Sequence, residues 1–240
     1  MTAGRRQRLL RWTAALVLAL TVTVSLRTLD GGPTGRQRNE RLYFPSGEFL
    51  VESSIGFREV LADWLWFRFV QYYGSFKQGG NDLRYLDLMI RSINRLDPRF
   101  VQVYHLASFI YWSDFGQVDK AYDILRRGVL HNPDNAGLRF QIGFMHYVLR
   151  GDYPRAARWF EMAGECSDAT DREARFAAFA RYRAGDDVVS LALWKDLFAT
   201  SPSPQMRDLA DRMIAKLERR IRIREIYGDA FVGPIPEDLP

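Results

Sequence analysis

The residues able to do covalent or metal chemistry are few. One cysteine, Cys166, and three histidines, His105, His131 and His146, are the soft ligands in 240 residues, too few and too widely spaced for a zinc cage. A single thiol also excludes an intramolecular disulfide framework. Catalysis needs a nucleophile, a base and a charge stabiliser that converge, and the chain carries no serine elbow, phosphate loop, zinc motif or dinucleotide fingerprint. Gly31-Gly32 and Gly79-Gly80 lack the following helix and lysine of a phosphate loop. No cofactor, no metal and no enzymatic activity are expected, and His105 and His146 read as packed residues. What remains is recognition chemistry. Trp64, Trp66, Phe67, Phe69, Tyr72, Tyr73 and Phe76 crowd one short stretch and cover nearly every face of a single helix, so one neighbour cannot bury them all. Trp64, Trp66, Phe69 and Tyr73 are the candidate contact residues, facing either a membrane surface or a partner protein. Asp63, set among these aromatics, is expected to pair with Arg68 or another nearby arginine.

The elements that position such residues must be built by a packed body. A hydrophobic share of 47% and an aromatic share of 14% exclude disorder over most of the chain. The formal charge of +5 is unevenly placed. Residues 1–41 hold eight arginines against Asp30 and Glu40, a net +6, whereas the remaining 26 basic and 27 acidic residues leave −1. A nucleic-acid binder concentrates positive charge on its folded surface; here the excess flanks an apolar run, so no nucleic-acid partner is expected.

That run, Trp12 to Leu26, is preceded by Arg5, Arg6, Arg8 and Arg11 and closed by Arg27. Fifteen residues of helix reach about 22 Å, against roughly 30 Å of hydrocarbon core, and snorkelling of Arg11 and Arg27 with Leu9 and Leu10 makes up part of the deficit. Residues 1–29 are therefore expected to be a signal-anchor that contacts the membrane through residues 9–27; a cleaved signal peptide is the alternative. The positive start places the body on the extracytoplasmic side of a bacterial cytoplasmic membrane. Residues 30–43, rich in Gly, Pro and charge, read as a flexible linker.

Residues 44–227 show an internal period. Gly116, Ala121, Leu125 and Gly128 recur 35 residues on as Gly151, Ala156, Phe160 and Ala163, and a further 34 residues on as Gly185, Ser190, Trp194 and Leu197. Pro98, Pro133 and Pro202 close the first, second and fourth units, since proline cannot continue a helix interior. Each unit reads as a helix pair with a glycine turn, and a small residue at Ala121 or Ala156 lets the second helix pack close.

This spacing, with Phe140, Gly143, Tyr147, Gly151, Tyr153, Ala156, Phe160 and Ala163, resembles the tetratricopeptide repeat (TPR) family. The resemblance covers roughly residues 57–225 and implies an all-α solenoid of about four helical hairpins whose first helices line a groove for a peptide or partner helix. Groove positions carried across from the family are Val103, Leu106, Ile110 and Asp114, then Leu138, Gln141 and Met145, then Arg172, Arg175, Phe179, Tyr182 and Arg183. A groove that is apolar early and basic-aromatic late suits an amphipathic segment with an acidic end.

Before the repeats, a capping helix is expected from Gly47 to Ser54, then a first helix from Arg58 to Tyr73 and an insertion from Ser75 to Asp82. The last helix, Met206 to Tyr227, interleaves acids and bases as a solvated face. Residues 228–240 form an extended tail. These features together point to a membrane-anchored, non-enzymatic scaffold or assembly factor with a protein or peptide partner. Two alternatives stay open: a structural accessory subunit of an integral membrane complex, and a secreted ligand-binding solenoid after signal cleavage.

Overall fold

The computed structural model describes Ser54, residues 56–80 and residues 82–228. The expected anchor and linker, all of the expected capping helix but Ser54, and the tail after Gly228 lie outside the described residues. The chain divides into two compact units, Met1–Phe44 with Ser75–Asp82 and Pro45–Gly74 with Leu83–Pro240. In the first, a turn closes where Gly79 N and Gly80 N donate to Phe76 O and Ser75 O at 2.9 Å each, with Gly79 at φ +76°.

All regular structure among the described residues is helical: α1 (Arg58–Lys77), α2 (Leu86–Leu96), α3 (Val101–Ser113), α4 (Val118–His131), α5 (Ala136–Met145), α6 (Tyr153–Gly164), α7 (Asp171–Arg183), α8 (Asp187–Thr200) and α9 (Pro204–Tyr227). The chain is thus all-α. Helix α1 runs four residues past its expected end. No helix among the described residues is long and apolar enough to cross a membrane.

The helix ends follow from the local sequence. Helices α2, α4 and α8 stop at Leu96, His131 and Thr200, each two residues before a proline, as expected where the residue ahead of proline leaves the helical region. Gly116, Gly151 and Gly185 follow α3, α5 and α7 at φ +65°, +62° and +84°, a backbone state that glycine enters without steric penalty. The first helix of the third pair ends in a π-helical turn, His146–Arg150, whose His146 carbonyl accepts from both Gly151 N and Asp152 N. Asn135, Asp152, Asp186 and Ser203 cap α5, α6, α8 and α9 through their side chains. Thr170 and Glu173 form a reciprocal capping box on α7, which satisfies two of the orphan donors at a helix start.

Packing runs between neighbours in sequence: α3 on α4, α5 on α6, α6 on α7, α7 on α8, α8 on α9, with α5 also touching α3. Several cross-links between hairpins share a separation of about one repeat. Lys120 pairs with Asp87 at 2.9 Å, Gln141 donates to Ser108 Oγ at 3.1 Å, and Asp168 accepts from Ala136 N at 2.7 Å. Arg150 pairs with Asp119, and Asp134 receives Ser167 N at 2.8 Å. Separations of 31 to 33 residues are those of one helix pair, so each pair is held mainly by the next.

Small residues set the close approaches within pairs. Ala121 and Ala156 are fully buried, and Ser190, at the corresponding place in the last pair, is buried with its hydroxyl donating to Ala178 O at 2.8 Å. A Cβ on Gly143 would stand 2.8 Å from the Phe160 ring and 3.2 Å from Ala156 O; one on Gly128 would stand 2.9 Å from the Tyr104 ring. Gly143→Ala should therefore destabilise by about 1–3 kcal/mol, the usual range for overpacking, despite alanine's better helix propensity. Urea unfolding checks this, and an unchanged or raised midpoint would show that α5 and α6 slide apart freely.

Candidate functional site

The residues expected to line a groove separate into two groups. Val103, Ile110, Leu138 and Met145 are fully buried core residues, a correction to their placement on a groove surface: one residue of helix rotates a side chain by about 100°, enough to turn a wall position inward. Leu106 is half-buried. Asp114 caps α3 and accepts from the Tyr73 hydroxyl at 3.0 Å. Gln141 is half-buried and bonded across to α3. The remaining five lie on α7 and diverge.

Arg172 and Arg175, near the start of α7, cover a set of aromatic rings on α5 and α7. Arg172 stands 4.2 Å above the Phe140 ring and Arg175 5.3 Å from that of Phe176. Phe140 and Phe176 meet edge to face at 5.0 Å, Phe144 stacks on Phe140 at 6.3 Å, and Phe144 is exposed. Guanidinium over a ring face is attracted by the ring quadrupole, and Arg172 is held in addition by the buried Glu173, whose Oε1 accepts from its Nε at 2.8 Å and its Nη2 at 2.5 Å. Phe140, Phe144 and Phe176 were absent from the expected groove set. The spacing of Phe140 and Phe144, four residues apart on one helix face, was a signal for two of them.

Phe179, Tyr182 and Arg183 lead elsewhere. Phe179 packs edge to face on Trp194 at 4.9 Å. Tyr182 lies under Lys216 and Arg220, 4.8 and 4.9 Å from its ring centroid. Burial pushes its phenol up, but the hydrogen bonds and charges of Lys216 and Arg220 outweigh this and hold it below the ordinary tyrosine value. Arg183 donates to the Tyr153 hydroxyl at 2.8 Å. The expected basic-aromatic end is thus two patches, and the one shared by α5 and α7 joins directly to the next polar chain.

That chain links α3 to α5. His105 Nδ1 donates to Gln141 Oε1, Gln141 Nε2 donates to Ser108 Oγ at 3.1 Å, and Ser108 Oγ donates to the His105 carbonyl at 2.9 Å. Burial lowers the His105 pKa; the Gln141 bond opposes this and Arg172 adds to it. His146, tilted against Tyr122 at 4.7 Å and buried, is lowered mainly by burial as well. Both imidazoles are favoured neutral in the fold, so the stability they contribute is present above the unfolded histidine value of about 6.5 and is lost as pH falls below it. Thermal midpoints should be level from pH 8 to pH 7 and decline from about pH 6.5 downward, with the decline reduced in His105→Gln.

A recess of about 370 Å³ lies beside His146, lined also by Tyr122, Arg150 and Trp159. Its arginines are engaged within the chain: Arg150 with Asp119, Arg126 with Asp123 at 3.7 Å, and Arg155 with Asp152 at 3.4 Å. Arg150 also covers the Tyr122 ring at 4.7 Å, and burial pushes that phenol up to about 12. Cys166 is buried and receives an Arg139 guanidinium bond. Among the described residues no three His, Cys, Asp or Glu side chains group to hold a metal ion.

The aromatic contact residues of α1 also separate. Phe69 is core, and Trp66 is half-buried against Phe69 and Phe100 at 5.8 and 5.6 Å. Tyr73 is the donor to Asp114. Trp64 is exposed, with Arg68 6.0 Å from its ring, and Asp63 is exposed beside it. No protein-family model matches the chain, and no curated protein matches it significantly.

Proposed function

We propose that the chain is a non-enzymatic, membrane-anchored TPR-type scaffold or assembly factor that holds a peptide or partner helix on the extracytoplasmic side. The observation that carries this reading is the Phe140, Phe144 and Phe176 surface with Arg172 and Arg175 above it. Aromatic anchors rimmed by arginine are the composition of interaction hot spots, and successive helix pairs held at one-repeat separations supply the rigid support that a groove needs. The preferred occupant is a segment with apolar anchors followed by Asp or Glu. The rings take the apolar side chains and Arg175 takes a carboxylate as a charge-assisted bond, while Arg172, already paired with the buried Glu173, holds the Phe140 face of the site.

The test uses the full-length protein in mild detergent and a fluorescent amphipathic helix peptide with an acidic end. Anisotropy should show binding that falls at least tenfold in Arg172→Glu/Arg175→Glu, while a peptide with a basic end binds neither form. Equal binding of acidic and basic peptides, or no change in the double variant, overturns the site. Extraction from the native membrane and intact-complex mass measurement then identify the natural partner.

A further inference from the structure

Helix α1 has two apolar faces, and one of them has no neighbour among the described residues. Ala62, Leu65, Phe69 and Tyr72 face the core. On the opposite side Phe57, just ahead of the helix, and Val60, Trp64 and Phe67 leave 68%, 64%, 54% and 60% of their surfaces in water. Their spacings of three, four and three residues place them in one stripe. Single exposed apolar residues are ordinary, but a contiguous row of large ones marks an interaction surface. The row carries no charge of its own. Arg68 stands along one border, Asp63 along the other.

We propose that this stripe seats on the bilayer surface, at the boundary between headgroups and acyl chains. The inference rests on the membrane-anchored reading above. Three observations choose lipid over a second copy or a protein helix. The stripe is dominated by Trp and Phe, the side chains that suit an interfacial layer, rather than by the Leu and Ile of a helix seam. Arg68 lies beside the Trp64 ring, with its charge able to reach phosphate while its stem lies along the apolar surface. The third is reach. Thirty residues separate Leu26, the last of the Arg-flanked apolar run, from Phe57; a chain of that length spans at most about 100 Å, so any bilayer holding the run lies within that distance of the stripe. Seated this way, α1 would fix the orientation of the body by adding a second point of attachment.

The test is the full-length chain carrying Cys166→Ala, reconstituted in phosphatidylcholine–phosphatidylglycerol vesicles, with single spin labels at Val60→Cys or Phe67→Cys. Val17→Cys reports the apolar run and Leu130→Cys, on an exposed position of α4, reports bulk water. Power saturation with oxygen and an aqueous nickel chelate reads depth. The expected result is nickel accessibility at 60 and 67 at least threefold below that at 130, with oxygen accessibility raised. Nickel accessibility equal to that at 130, while position 17 remains in lipid, overturns the seated stripe and leaves the anchor standing. Water exposure at 17, 60 and 67 together overturns both readings. Shielding of 60 and 67 from nickel and oxygen alike shows a protein partner and overturns the lipid assignment. The labelled side chains lie outside the core, and circular dichroism of each variant confirms that α1 is intact.

Discussion

Trp194→Ala is expected to destabilise the chain by about 3–5 kcal/mol, the range for truncating a fully buried tryptophan. Trp194 is the largest fully buried side chain among the described residues. It packs with Ala178 of α7, Leu197 of α8, and Ala210, Met213 and Leu217 of α9, so one truncation loosens three helices. Its indole Nε1 is buried without a hydrogen-bond partner. Trp194→Phe, which removes that unsatisfied donor and keeps a ring against Phe179, should therefore cost much less than alanine. The two variants separate volume from polarity in one denaturation experiment. Because each helix pair is held mainly by its neighbours, the loss should also be local. Hydrogen exchange of Trp194→Ala should show protection lost across α7, α8 and α9 and largely kept in α3 to α5. Uniform loss along the chain would mean that the pairs unfold as one body.

The double variant Arg220→Ala/Arg224→Ala comes next in size. Asp187 opens α8 with its side chain almost entirely buried, and the guanidinium groups of Arg220 and Arg224 on α9 stand 3.0 and 2.6 Å from its Oδ2. These contacts are ionic rather than aligned hydrogen bonds. Removing both cations leaves a carboxylate buried without compensation. The expected loss is about 3 kcal/mol, at the low end for breaking a buried pair because each arginine side chain is itself 36% exposed. Adding Asp187→Ala to the double variant should restore part of the stability, since no unpaired charge then remains inside. If the triple variant is less stable than the double, Asp187 contributes through packing or helix capping and not through charge.

The parts of the fold that backbone chemistry dictates were legible. Gly116, Gly151 and Gly185 marked turns because a positive φ suits glycine, and Pro98, Pro133 and Pro202 marked helix ends because proline restricts the residue before it. Facing was harder to read. Val103, Ile110, Leu138 and Met145 sit in helices that are apolar on more than one side, and periodicity alone does not say which apolar side is covered. Phe140 fell on a repeat position, which does not say what lies over it; its half-buried ring carries Arg172. Asp63, set among aromatics and expected to pair with an arginine, is exposed because the aromatics divide around it. The crowded α1 sequence did announce that one neighbour would not suffice, and the structure shows which row is left over.

The one-repeat separation of these cross-links has a kinetic consequence. Where partners lie about thirty residues apart in a chain of 240, little loop-closure entropy stands between an emerging segment and its native contacts. A helix pair leaving the ribosome finds its docking surface already made by the pair before it. The body can therefore assemble in the order in which it is synthesised, each completed pair templating the next, without waiting for the C-terminal end to return to the start.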